Sequence, residues 1–244
     1  MKLSIIIPAY NEENYLPLCL AAVRASVKQS GRDAEIIVVN NASTDKTREI
    51  AAAFPDLKVV DEAHKGITWA RQAGFLASSG ELLANIDADT RMPPDWVAKV
   101  FSYFERDEKL VALSGPYIYY DFSYFKNLLG QIYYRLGYGF NWLTSPIRLG
   151  AMIQGGNFIL RRDALEKIHG FDTSIDFYGE DTDVAVRIQK YGLVIFTFKL
   201  PMYSSARRLK QEGFFTMALR YSFNYFYYLI YKKPYTKKSI DIRS

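Results

Sequence analysis

The chain has 244 residues, of which 49% are hydrophobic and 23% are charged, with 15 Gly, 9 Pro and one Cys. These proportions match an average soluble globular protein and exclude a disordered chain, a collagen-like repeat and a disulfide-rich scaffold. The formal net charge of +5 is unevenly placed, because residues 207–244 carry nine Lys or Arg against two Asp or Glu, whereas residues 1–206 carry 22 against 24.

The first third of the chain alternates between short apolar runs, typical of buried strands, and longer segments with apolar residues at helical spacing. The predicted strands are 3–8, 35–39, 57–60 and 82–86. The predicted helices are 11–27, with Asn11 as its N-cap, 44–54 and 66–79. This alternation predicts a mostly parallel sheet flanked by helices, with ligands bound beyond the carboxyl ends of the strands.

After residue 95 the alternation weakens. Helices are predicted at 95–105 and 180–191, and strands at 111–119 and 155–160. Residues 117–142 hold 11 aromatic side chains, and their packing cannot be assigned from the pattern. Residues 214–231 are mostly apolar, but Arg220 and Asn224 interrupt them, which favours an amphipathic or interfacial helix over a membrane span.

Two carboxylates, Asp87 and Asp89, follow the predicted strand 82–86. Residues two apart in extended backbone point to the same side, so both side chains are expected to face one cleft. Mg²⁺ and Mn²⁺ are held by one or two carboxylates together with the phosphate oxygens of a substrate. The pair therefore fits a metal-bound diphosphate, although two aspartates that only cap the following segment would have the same pattern.

Five segments in chain order resemble family 2 of the glycosyltransferases: residues 5–13 (IIIPAYNEE), 37–45 (IVVNNASTD), 70–74 (ARQAG), 87–89 (DAD) and 179–181 (GED). The resemblance implies a GT-A fold, which is an α/β fold with a Rossmann-like, mostly parallel central sheet flanked by helices. We expect this domain to span residues 1–206, with a nucleotide-binding half at 1–90 and an acceptor-side half at 91–206. Residues 207–244 would then form a basic, aromatic-rich, helical C-terminal extension that contacts a membrane or is solvated.

The resemblance further implies an enzyme that transfers a sugar, with inversion, from a nucleotide diphosphate sugar to an acceptor hydroxyl, with Mn²⁺ or Mg²⁺ as cofactor. In this reaction Asp181 would be the general base, with Glu180 beside it, and Asp87 and Asp89 would hold the metal. Glu180 and Asp181 also fit the first turn of a helix, where carboxylates interact favourably with the helix dipole without any catalytic role.

The nucleotide sugar would contact residues from several segments. The predicted donor-binding residues are Pro8, Ala9, Tyr10, Glu12, Asn40, Arg71, Asp87, Gly156 and Arg207. Asn40 stands where the family usually has Asp, and its amide oxygen can still accept a hydrogen bond from a uracil ring N–H. Arg71 could instead be a solvated residue on a helix face, Arg207 could begin the basic tail, and Gly156 could only ease entry into a strand.

Two other functions share parts of this pattern. A sugar-phosphate nucleotidyltransferase would have a glycine-rich phosphate loop after its first strand, where this chain has Glu12 and Glu13. A non-catalytic nucleotide-sugar binding protein would be expected to lack the metal pair or the base.

The expected partners follow from the reaction and from the C-terminal composition. They are a nucleotide diphosphate sugar, a saccharide or lipid-linked acceptor and a membrane surface, but no nucleic acid. Lone Cys19 cannot form an internal disulfide, and the N-terminal residues do not read as a signal peptide. We therefore expect a cytoplasmic protein, either free or bound peripherally to the inner face of the cell membrane.

Overall fold

A computed structural model describes residues 1–144 and 150–236. In chain order its elements are β1 (Leu3–Ala9), α1 (Leu16–Ser30), β2 (Ala34–Asn41), α2 (Thr47–Ala52), β3 (Lys58–Glu62), α3 (Ile67–Ala77), β4 (Leu82–Ile86), β5 (Thr90–Arg91), α4 (Trp96–Arg106), β6 (Leu110–Ser114), β7 (Tyr117–Tyr119), α5 (Tyr124–Thr144), β8 (Asn157–Arg161), α6 (Arg162–Lys167), α7 (Glu180–Ile188), β9 (Leu193–Phe196), β10 (Met202–Ser204), α8 (Arg207–Glu212) and α9 (Phe214–Tyr231).

Within these ranges, seven strands form the central sheet in the order β3-β2-β1-β4-β8-β6-β9. Neighbouring strands run parallel except at β8, which is antiparallel to both β4 and β6. Three short strands form a second sheet in the order β5-β10-β7. The mostly parallel sheet predicted from the sequence is thus confirmed, and the carboxyl ends of β1, β2 and β4 lie together at one edge.

The alternation of side chains in β1 shows why helices cover both faces of the sheet. Leu3, Ile5 and Ile7 pack into a core on one face with α1 and α4, whereas Ile6 points to the other face and packs with residues of α3, α6 and α7. All of these β1 side chains are fully buried. A parallel strand buried on both faces is a continuous apolar run, as this segment is.

The helix predicted at 11–27 begins later, at Leu16, and Asn11 is not its N-cap. Asn11 adopts a left-handed backbone conformation (φ +50°), and its side-chain oxygen accepts a hydrogen bond from the Thr44 amide at 2.9 Å. The amides of Glu12 and Glu13 donate to Thr47 and Asp45. Because the loop after β2 binds these N–H groups, residues 11–13 form a turn rather than the first turn of a helix.

The strand predicted at 111–119 is two strands in different sheets, β6 and β7. Gly115 and Pro116 separate them, and a Cβ added at Gly115 would lie 1.9 Å from the Leu200 carbonyl oxygen. The chain therefore needs glycine at this close approach to leave the central sheet and enter the small one.

Two long aromatic helices complete the fold. The unassigned residues 117–142 mostly form α5, and the predicted interfacial helix 214–231 is α9 with the same bounds. Among the described residues no helix is long and apolar enough to cross a membrane. Residues 237–244 of the predicted C-terminal extension lie outside the described residues.

Candidate active site

A cavity of about 1060 Å³ opens at the carboxyl edge of the central sheet. It is lined by nine of the twelve predicted site residues, which come from the ends of β1 and β4, from α3, and from the starts of α7 and α8: Pro8, Ala9, Tyr10, Arg71, Asp87, Asp89, Glu180, Asp181 and Arg207. The other three, Glu12, Asn40 and Gly156, do not line the cavity. The fold thus brings residues up to 199 positions apart to one cavity.

Asp87 and Asp89 follow β4 and belong to two different hydrogen-bonded groups. An oxygen of Asp87 lies 2.8 Å from the Tyr117 hydroxyl, which also lies 2.7 Å from the Gly155 carbonyl oxygen. Asp89 forms an ion pair of 2.9 Å with Nε of Arg207. Their carboxylates are hard oxygen ligands, as Mg²⁺ and Mn²⁺ prefer, and a substrate diphosphate with water can complete such a coordination shell.

Arg71 lies between the acidic residues that follow β4 and those at the start of α7. Its guanidinium is 2% exposed and lies 2.6 Å from Glu180 and 3.8 Å from Asp87. The plane of the group also lies over the ring of Phe158, at 5.0 Å from its centre. A buried cation needs such partners, so Arg71 is no solvated helix-face residue and instead fixes the distance between the Asp87 loop and α7.

Glu180 and Asp181 begin α7 directly after Gly179, which has a left-handed conformation (φ +84°). Burial raises the pKa of Glu180 to about 7, and the neighbouring Asp181 charge acts in the same direction, against Arg71. Burial also raises the pKa of Asp181, although the amides of Thr182 and Gly155 donate to its carboxylate. A carboxyl that loses its proton near neutral pH is suited to general-base catalysis.

Arg207 contacts two carboxylates from opposite ends of the sequence. Its guanidinium donates to Glu12 and pairs with Asp89, and it stacks over the Tyr15 ring at 4.6 Å. Glu12 is 1% exposed, so it acts on the cavity through Arg207 rather than by direct contact with a ligand. Arg207 is therefore a built part of the site and not the start of a solvated tail.

Asn40 does not line the cavity, whereas its neighbour Asn41 does. The Asn40 amide donates to Asp61 at 2.8 Å, and Asp61 is also paired with Arg48. Since the carboxylate takes the NH₂ end of the amide, the orientation of Asn40 is fixed. Its side-chain oxygen is buried and accepts no hydrogen bond from any residue within 1–144 or 150–236.

Gly156 lies against the carboxylate of Asp87 and does not line the cavity. A Cβ at this position would lie 2.2 Å from both Cγ of Asp87 and the Tyr117 hydroxyl, and the backbone has φ +78°. Only glycine satisfies both constraints without strain.

We expect Gly156→Ala to displace Asp87, so that the donor dissociation constant rises at least tenfold in the presence of metal and the protein loses about 1–3 kcal/mol of stability. Gly139→Ala, in open space on α5, is the matched control. Calorimetric titration of both variants with donor and Mn²⁺ measures the difference, and equal affinities would contradict the role given to Gly156.

Three further residues complete the site, and two of them, Tyr117 and Lys65, were not singled out by the sequence. A Cβ at Gly155 would lie 3.2 Å from Glu180 and 3.3 Å from Asp181, so this glycine is where both carboxylates converge. Tyr117 contacts Asp87, and the Lys65 ammonium lies 3.9 Å from the centre of the Tyr10 ring. The glycine pair 155–156 was a usable signal, whereas Tyr117 and Lys65 reach the site only through the fold.

The two histidines of the chain, His64 and His169, do not line the cavity. His64 stacks on Trp69 and pairs with Glu62, and His169 lies in the turn after α6. Among the described residues, no group of three or more His, Cys, Asp and Glu is gathered as a complete metal site.

A mostly parallel sheet with acidic pairs after β4 and at the start of α7 is the arrangement that the resemblance to family 2 of the glycosyltransferases led us to expect. The chain belongs to glycosyl transferase family 2, because the model described as "Glycosyl transferase family 2" matches residues 4–169. A second model, "N-terminal domain of galactosyltransferase", matches residues 147–211. The family and fold predicted from the sequence are thus confirmed.

Curated relatives are glycosyltransferases by name. The chain is 31% identical over 209 residues to "Probable glycosyltransferase YdaM" of Bacillus subtilis, a match that covers 81% of this chain and 49% of the relative. It is 34% identical over 116 residues to "Undecaprenyl-phosphate 4-deoxy-4-formamido-L-arabinose transferase" of Photorhabdus laumondii, covering 45% of this chain and 36% of the relative. The chain therefore spans at most about half the length of these relatives.

Solved structures show the same fold at low sequence identity. S. aureus TarS residues 1–349 in complex with UDP-GlcNAc has a TM-score of 0.64 at 19% identity, covering 84% of this chain and 58% of that one. Mannosyltransferase PcManGT from Pyrobaculum calidifontis, in complex with GDP-Man and Mn²⁺, has a TM-score of 0.59 at 22% identity, covering 84% and 56%.

Proposed function

We propose that this protein transfers a sugar, with inversion at the anomeric carbon, from a metal-bound nucleotide diphosphate sugar to an acceptor hydroxyl. The observation that carries this function is the placement of two acidic pairs, Asp87 with Asp89 and Glu180 with Asp181, on one cavity, with buried Arg71 between them. Membership of family 2 supports the reaction, as do the nucleotide sugars bound to the two structural neighbours.

The donor would occupy the carboxyl edge of the sheet. Pro8, Ala9 and Tyr10 would contact the nucleoside, and Asp87 with Asp89 would hold Mn²⁺ or Mg²⁺ against the diphosphate. The bound ion supplies positive charge that neutralises the leaving phosphate. Residues 1–90 would in this way form the nucleotide-binding half and residues 91–206 the acceptor-side half.

Asp181 would act from the start of α7, on the other side of Arg71 from Asp87. The acceptor oxygen attacks the anomeric carbon on the face opposite the diphosphate, the carbon–oxygen bond to the diphosphate breaks, and the hydroxyl proton passes to Asp181. Glu180 would position the acceptor, and Arg71 would keep Glu180 in place through their 2.6 Å contact. Arg207, held by buried Glu12, would add a second cation beside the diphosphate.

The acidic pair predicts how transfer depends on pH. Because the pKa of Glu180 is raised to about 7, the pair retains a proton below that pH, and kcat/KM should rise as the pH increases through neutrality. Glu180→Gln removes the carboxyl whose pKa is raised to about 7 and leaves Asp181 as the titrating group of the pair. The rising limb should then move to lower pH, whatever the maximal rate, and an unmoved limb in a pH series would contradict the assignment of this limb to Glu180.

The acceptor is proposed to be a lipid-linked or cell-envelope saccharide, and the lipid-linked alternative is favoured because one relative is named for undecaprenyl-phosphate, a phosphorylated lipid. We place the protein at the inner face of the cell membrane, bound peripherally through residues 207–244. The basic residues of this segment alternate with Phe and Tyr, which favours a membrane surface over nucleic acid as its partner.

A hydrolysis experiment tests the reaction without knowledge of the acceptor. The protein is incubated with UDP- and GDP-sugars and Mn²⁺, and water serves as a slow acceptor while NMR records the first sugar anomer released. Inverting transfer predicts the anomer opposite to that of the donor. Release of the retained anomer would contradict the mechanism. When pyrophosphate is added in a parallel sample, conversion of the donor to nucleoside triphosphate and sugar 1-phosphate would favour a nucleotidyltransferase.

A further inference from the structure

Helices α5 and α9 lie side by side on one surface of the protein. The Tyr133 hydroxyl of α5 is 3.1 Å from the Ser222 hydroxyl of α9, and the Phe140 ring makes edge contacts with Tyr225 and Phe226. These contacts bury one side of each helix, and another side of each helix stays exposed to solvent. We call this outward surface the α5–α9 face.

Each helix has a row of exposed apolar side chains, which together make up the face. The row on α5 is Phe125, Leu128, Ile132, Leu136 and Leu143, and the row on α9 is Phe215, Leu219, Phe223, Phe226 and Ile230. The spacings of three, four or seven residues place each row along one side of its helix. All ten side chains are between 42% and 73% exposed, which a soluble surface rarely shows in continuous rows.

The charges on the two helices of the α5–α9 face have one sign. Neither Tyr124–Thr144 nor Phe214–Tyr231 contains an Asp or Glu. Exposed Lys126 and Arg135 lie beside the row on α5, and exposed Lys232 and Lys233 follow α9. An apolar surface with basic residues at its edges complements anionic lipid headgroups, whereas a second copy of this face would bring cations together.

The cavity of the candidate active site opens on this face. Leu136, Phe215, Leu219 and Phe226 belong to the exposed rows and also line the cavity that contains Asp181 at its other end. Tyr133 and Phe140 line the passage between them. An apolar chain at the surface would thus have a continuous aromatic path toward the proposed base.

Two glycines keep this passage open. Gly130 and Gly137 lie inside α5, where each glycine costs about 1 kcal/mol relative to Ala. Both line the cavity, yet a Cβ at Gly130 would meet nothing within 4 Å, and one at Gly137 would only touch Met152 at 3.5 Å. Among the described residues, packing therefore does not require glycine at either position, and a larger side chain there would project into the cavity.

We propose that the α5–α9 face rests on an anionic membrane surface and that the passage between the two helices admits the apolar chain of a lipid-linked acceptor. The membrane contact stands on the face itself. The acceptor passage rests on the proposed function. This passage would let the apolar chain of the acceptor enter from the bilayer side of the cavity, opposite the nucleotide.

Vesicle flotation tests the membrane contact. The full chain should float with vesicles of phosphatidylglycerol and phosphatidylcholine, and much less with phosphatidylcholine alone. Ile230→Glu, outside the cavity, should weaken partitioning by roughly tenfold, since it removes one large apolar contact. Leu76→Glu is the matched control, because Leu76 is 72% and Ile230 71% exposed, and it should float as the unchanged protein does.

Three results would overturn the membrane contact. They are no flotation with either vesicle, an equal loss in both variants, and a dimer in sedimentation that Ile230→Glu dissociates, which would assign the face to a second copy. Donor binding measured on the same samples separates this outcome from failure of the proposed function, because the nucleotide site lies at the other end of the cavity.

Calorimetry with dodecyl maltoside below its critical micelle concentration tests the passage. The unchanged protein should bind this chain-bearing saccharide saturably and should bind maltose far more weakly. Gly130→Leu should reduce the affinity at least tenfold, whereas Gly139→Leu should not, since both Cβ positions are in open space but only Gly130 lines the cavity. Equal binding by both variants, or an equal loss, would overturn the passage.

Discussion

Asp181→Asn should lower the rate of sugar transfer by on the order of 10²–10⁴ while the donor and metal dissociation constants stay within about twofold. The amide keeps the shape of the side chain and can still accept from the Gly155 amide, which donates to Asp181 at 3.2 Å. It cannot take the acceptor proton. The loss should therefore appear in kcat and not in donor binding.

A second carboxylate in the same cavity provides the control for Asp181→Asn. Asp176 lines the cavity and is exposed, and nothing in the mechanism assigns it a role. Asp176→Asn should leave transfer within a few-fold of the unchanged protein. An equal fall in donor affinity and rate for Asp181→Asn would show that this residue binds the donor instead of acting as the base.

Asp89→Ala should weaken metal-dependent donor binding by roughly 10²-fold or more, because one of the two carboxylates that hold the ion is lost. The protein should stay folded, since Asp89 lies in a loop at the cavity rather than in the buried strand before it. Titration with a nucleoside diphosphate, with and without Mn²⁺, measures the effect. Tight binding that still requires metal would remove Asp89 from the site.

Arg207→Gln tests whether the ion pair between Arg207 and Asp89 competes with metal binding at Asp89. The guanidinium sits on the Asp89 carboxylate at 2.9 Å, where a metal ion would also bind. Without it, Mn²⁺ alone should bind more tightly, and the nucleoside diphosphate with metal more weakly. Parallel losses of both affinities would mean that Arg207 stabilises the metal site instead of competing for it.

The sequence predicted the sheet well because β1 and β4 are continuous apolar runs with polar residues at their ends. These features are local, and so are the two aspartates after Ile86 and the acidic start of α7. The prediction of the α1 start was wrong for a non-local reason, since the amides of residues 11–13 are bound by the loop after β2. No periodicity in the sequence contains that information.

The site was predicted in part for the same reason. Motifs identified nine residues that line one cavity, six of them carboxylates or arginines, but not the contacts between them. Tyr117 reaches Asp87 only because the chain changes sheets at Gly115, and Arg71 reaches Glu180 across 109 positions. Such pairings depend on topology, and their effect on the pKa of Glu180 depends on burial that only the folded protein creates.

Thermal unfolding with a panel of ligands tests the central claim most directly. UDP, GDP, dTDP, CDP and their common sugars are each added with and without Mn²⁺ or Mg²⁺, because a ligand that binds only the folded state raises its stability. We predict that one nucleotide raises Tm of the unchanged protein only when metal is present, and that Asp89→Ala abolishes this rise. A rise that is independent of metal and unaffected by Asp89→Ala would contradict a metal-bound diphosphate at the end of β4.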